Sequence, residues 1–108
     1  MLEAAEGSNP QTIEGAAQWY LEGARQGDPF SQVAIARRYE QGVGVERNLI
    51  EAYAWYKLAE SFRTSGAGQS LARLRGRLRA VEVQRGETLA EERRVRWSLD
   101  RDLQFDRG

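Results

Sequence analysis

The chain has 108 residues, room for one domain, and a domain of this size buries roughly two thirds of the surface its unfolded chain exposes. Sixteen basic and sixteen acidic residues cancel, so no overall field draws the protein to nucleic acid or to an anionic membrane, and any electrostatic preference must be local. The absence of histidine and cysteine removes the common general base, the thiol nucleophile, disulfides and nearly every zinc arrangement, which argues against an enzyme and leaves cytoplasm and periplasm equally open.

Residues 1–9 read as a loose polar tail, with neither the basic start nor the apolar run of a secretory signal. No later stretch approaches the roughly 18 consecutive apolar residues of a membrane span. Asn9-Pro10 offers a helix start, Asn as cap and Pro at the first helical position. The helix is predicted over 10–26, with Ile13, Ala16, Ala17, Tyr20 and Ala24 on its apolar stripe and Gly27 ending it. After the Asp28-Pro29 turn a second helix is predicted over 30–41, carrying Val33, Ile35, Ala36 and Tyr39; so short a connection makes the two antiparallel neighbours.

Gly42-Val43-Gly44-Val45 follows. Without a Lys-Ser/Thr pair or a strand before it, the pattern reads as helix termination and not as a phosphate cradle. Asn48 with Glu51 resembles a capping box and starts a helix through Ala52, Trp55, Tyr56 and Ala59. Thr64 to Gly68 breaks the chain. Leu71, Leu74, Leu78 and Val81 predict an amphipathic helix over 69–85 ended by Gly86, and Thr88 with Glu91 predicts a last helix over 89–102. The sum is an all-α protein of about five helices.

Trp19-Tyr20 recurs as Trp55-Tyr56, 36 positions later, and each pair stands three residues after an alanine, Ala16 or Ala52. A fixed period in the thirties marks a helical array whose stacked hairpins bury a continuous core and leave an extended concave surface. Beside small alanines, both Trp-Tyr pairs are expected in the core. The run from Gly27, with Ile35, Tyr39, Gly42, Gly44, Asn48, Ala52, Trp55-Tyr56 and Ala59 in register, resembles one unit of the Sel-one-like repeat family, relatives of the tetratricopeptide repeats. Residues 10–28 then resemble the second helix of a partial repeat, 29–62 one complete repeat, and 63–104 the capping helices that close bacterial members. The resemblance implies an α-solenoid of antiparallel hairpins that brings proteins together without cofactor or catalysis.

Lys57, the only lysine, lies between core positions and snorkels to solvent; Glu91-Glu92, Asp100 and Asp102 alternate with arginines and read as surface salt bridges, not calcium ligands. On the first helix of the complete repeat Gln32, Arg37, Arg38 and Glu40 are expected to project from the core and meet a protein or peptide partner on the concave face. From Ser61 to Val81 stand Arg63, Arg73, Arg75, Arg77 and Arg79 with no acidic residue, an alternative surface for nucleic acid or another anion, with Arg73 and Arg77 as its contacts. Between Arg73 and Arg79 no aromatic residue offers a surface for base stacking. A missing first helix would leave Ile13 and Ala17 open to a second copy, giving a homodimer through the N-terminal end, or to a docked partner helix.

Overall fold

The computed structural model describes residues 11–64 and 66–107; the expected tail and the Asn9-Pro10 start lie outside them. Five helices and no strand occur among the described residues: α1 (Ile13–Arg25), α2 (Pro29–Gln41), α3 (Leu49–Glu60), α4 (Ala67–Arg75) and α5 (Ala80–Arg107). The helix starts are written in capping side chains. The Thr12 hydroxyl accepts the Gly15 amide at 2.8 Å, Asp28 accepts those of Phe30 and Ser31 at 3.3 Å, and Asn48 accepts those of Ile50 and Glu51 at 3.1 and 3.0 Å. Thr12 and Asn48 stand 36 positions apart, so the period reaches the caps.

The helix ends repeat as well. The amides of Gly27 and Asp28 donate to the carbonyls of Ala24 and Gly23, both at 3.0 Å; 36 positions on, Arg63 and Thr64 donate to Glu60 and Ala59 at 2.8 and 3.3 Å. This is the pair of bonds that closes a helix through one left-handed residue. Gly27 holds φ 93° without penalty, whereas Arg63 holds φ 57° with a side chain attached. Gly44, also left-handed, brings the α2–α3 loop against α1, where a Cβ would stand 2.5 Å from the Ile13 carbonyl oxygen and 2.9 Å from the Ala17 Cβ.

The core is centred on α3, which packs against α2, α4 and α5, while α1 packs on α2. Ala52 to Tyr56, Leu58 and Ala59 are buried, together with Ile35, Leu71, Leu74 and Ala90 from the surrounding helices. Two expectations fail here. Trp19 is 58 % exposed and Tyr20 37 %, because no described element lies over the outer side of α1; its buried stripe is Gly15, Ala17, Leu21 and Ala24, with Ile13 exposed. Of the pair expected at an open N-terminal end, Ala17 is buried under Gly44.

The predicted helices over 69–85 and 89–102 divide differently. The break falls between Arg75 and Ala80, where Glu82 reaches back to accept the Arg79 amide at 2.8 Å, and α5 then runs through Gly86 and Thr88. Gly86 is a close-approach residue and no terminator: a Cβ there would stand 2.8 Å from the Tyr53 ring.

Candidate functional site

Helices α2 and α4 flank α3, and between them runs a groove whose walls obey the repeat. Arg37 and Arg73 share one repeat position, Gln41 and Arg77 another, so equivalent positions of α2 and of α4 with the turn after it look into one trough. Its floor is Tyr56 from α3, with Gln69 and Ser70 along the α4 side.

Glu40 fastens the walls together. It accepts the Tyr56 hydroxyl at 3.0 Å and the Arg73 guanidinium through Nη2 at 2.8 Å and Nε at 3.2 Å. Burial, and then the bond to Glu40, push the Tyr56 phenol above its ordinary range; the same carboxylate raises Arg73. Arg37 and Arg77 are exposed, and neither guanidinium has an ion pair among the described residues. The trough therefore carries one charge pair consumed in holding α4 to α2 and two free cations at its rim.

The six expected contact residues do not form one face. Arg37, Glu40, Arg73 and Arg77 come together in the groove. Gln32 does not: it is 2 % exposed and its Nε2 donates to the Ala24 carbonyl at 3.2 Å, tying α2 to α1. Arg38 turns away as well, its guanidinium 4.7 Å from the centre of the Tyr20 ring. Gln41, Gln69 and Ser70 complete the lining, and the offset of 36 applied to Arg37 and Gln41 is the sequence signal that locates it.

The arginine run between 63 and 79 is largely spent within the molecule. Besides Arg73, Arg75 donates to the Tyr53 hydroxyl at 3.0 Å and pairs with Glu87 at 3.4 Å, and Arg79 pairs with Glu82 at 3.5 Å. Glu82 stands just past the run, and Glu40 and Glu87 come from 33 and 12 residues away, which a charge count within the run does not see. Among the described residues no group of three or more metal-ligating side chains occurs, and no helix is long and apolar enough to cross a membrane.

The Sel1 repeat family model matches residues 4–28 and 29–61, more than half of the chain. No curated protein matches it.

Proposed function

The chain belongs to the Sel1 repeat family, and on that premise we propose that it is a non-catalytic adaptor docking an acidic segment of a partner protein in the groove between α2 and α4. Sel1 repeats are commonly protein-interaction scaffolds, and the family is generally non-catalytic. The observation that carries the finer reading is the pair of unspent cations: Arg37 and Arg77 stand on the rim beside the Glu40–Arg73 pair that ties α4 to α2. A preorganised groove loses little conformational freedom on binding, and rim cations steer and select an acidic partner more than they add affinity.

Reversing both rim charges, Arg37→Glu with Arg77→Glu, is expected to remove the partner from quantitative affinity capture while the circular dichroism spectrum stays helical. Undiminished capture by the double variant would reject the groove. The nucleic-acid alternative is disfavoured by the ion pairs of Arg73, Arg75 and Arg79; it requires an affinity for duplex DNA or single-stranded RNA that falls linearly on a logarithmic salt scale. A homodimer through the N-terminal end around the exposed Ile13 would appear in sedimentation equilibrium, and Ile13→Asp would abolish it.

A further inference from the structure

Helix α5 has an occupied face and an empty one. On the occupied side Gly86 lies against the Tyr53 ring, Ala90 is buried, the Arg93 guanidinium covers Trp55 and Trp97 meets Phe62 edge to face. On the opposite side Val95, Leu99 and Leu103 recur at every fourth residue, one above the other along the helix. They are 42 %, 58 % and 64 % exposed, and no described element covers them. Single exposed aliphatic residues are ordinary, but three in helical register form a stripe.

The charges beside the stripe divide into spent and unspent. From Glu87 to Arg101, Glu87 pairs with Arg75, Glu91 with Arg94 and Arg93 with Glu51, while Arg101 lies over the Trp97 ring. Three remain. Glu92, Arg96 and Asp100 follow one another a turn apart, border the stripe, and have no ion pair among the described residues.

That alternation of sign selects the occupant. A basic or an acidic peptide would meet a like charge at one of two successive turns, and an anionic bilayer would meet two carboxylates for one arginine. A second copy of the same helix carries both signs in the required order. We propose that the chain forms a weak isologous dimer in which two α5 helices pack antiparallel through Val95, Leu99 and Leu103. Antiparallel packing sets Arg96 against the partner's Asp100 twice across the two-fold axis, whereas parallel packing would set Arg96 against Arg96 and Asp100 against Asp100.

The apolar stripe fixes the register. Pairing Arg96 with Asp100 centres the axis at Ser98, so the six aliphatic side chains of the two stripes alternate along the seam. Pairing Glu92 with Arg96 instead would centre it at Arg94 and leave Leu103 beyond the overlap. Because the stripe lies opposite the face that covers α3, the two bodies stand on the outer sides of the helix pair. The stripe also shares no residue with the groove between α2 and α4, so each dimer presents two grooves.

The test is sedimentation equilibrium of the full chain at low salt, from about 5 to 500 µM. Three aliphatic side chains per copy make a small interface, so a reversible monomer–dimer equilibrium with Kd of about 10–100 µM is expected. Leu99→Glu, at an exposed position, should keep the helical circular dichroism spectrum and remain monomeric throughout, while Ile13→Asp should dimerise unchanged. Arg96→Asp and Asp100→Arg should each weaken the dimer about tenfold, and the double exchange should bring Kd back to within about threefold. A chain still monomeric at about 500 µM, a dimer that survives Leu99→Glu, or a dimer lost with Ile13→Asp would overturn the proposal. Single exchanges without effect, or a double exchange that does not recover, would overturn the antiparallel pairing.

Discussion

Trp19-Tyr20 and Trp55-Tyr56 occupy equivalent places in two helices that start on equivalent caps and end on equivalent bonds, yet one pair faces solvent and the other is buried. Trp19 is 58 % exposed and Trp55 3 %. Nothing in the backbone of α1 and α3 accounts for the contrast. What differs is company: α3 is enclosed by α2, α4 and α5, with the Arg93 guanidinium laid on Trp55, whereas among the described residues α1 packs on α2 and leaves Trp19 uncovered. Local sequence sets the helix, and position in the array sets what the helix buries. In a stack where each unit contacts only its neighbours, a repeat residue is buried only where a neighbouring element covers it.

The strongest way to break this comparison is to truncate both rings. Trp55→Ala is expected to destabilise by about 3–5 kcal/mol, a full core truncation, and Trp19→Ala to stay within about 0.5 kcal/mol, as surface changes do. Urea unfolding followed by circular dichroism reads both, and equal losses would contradict the account. The helix ends give the next largest contrast. Gly27→Ala should cost about 1–3 kcal/mol, since it adds a side chain at φ 93° against Trp97, while Arg63→Gly relieves a left-handed arginine and should stabilise by about 0.5–1 kcal/mol. Opposite signs at one repeat position are the expected outcome in the same unfolding measurement.

The smallest effect is on pH dependence. Burial raises the Tyr53 and Tyr56 phenols, followed by their bonds to Glu87 and Glu40. Below the unfolded value of 10.0 both states hold these protons and the stabilisation is complete. Above it the unfolded chain releases them first, so stability falls as pH rises toward the folded values. Tyr56→Phe is expected to flatten that alkaline decline in unfolding midpoints measured between about pH 9 and 11, and an unchanged slope would remove Tyr56 from the explanation.

The features legible in the sequence were those carried by short spacings. The cap at Asn48, the turn at Asp28-Pro29, the left-handed Gly42 and the packed sequence from Ala52 to Ala59 all follow from local residue chemistry. The errors arose where a distant neighbour overrules a local signal. Gly86 looks like a helix terminator until Tyr53 is seen to need its missing Cβ, and Thr88 with Glu91 mimics a cap inside a continuous helix. Gln32 looks exposed by polarity but is consumed by the Ala24 carbonyl, and the arginine run looks unneutralised until Glu40 and Glu87 arrive from 33 and 12 residues away. Half of the groove was legible, because Arg37, Glu40, Arg73 and Arg77 were singled out; their convergence needed the packing of α2 and α4 on α3.

The central claim, that equivalent repeat residues differ only in their cover, is tested most directly by hydroxyl-radical footprinting of the native chain with mass-spectrometric readout at each tryptophan. The account predicts that Trp19 oxidises nearly as fast as in the urea-unfolded chain, that Trp97 is intermediate, and that Trp55 is slowed at least severalfold. Equal protection of Trp19 and Trp55 would contradict it.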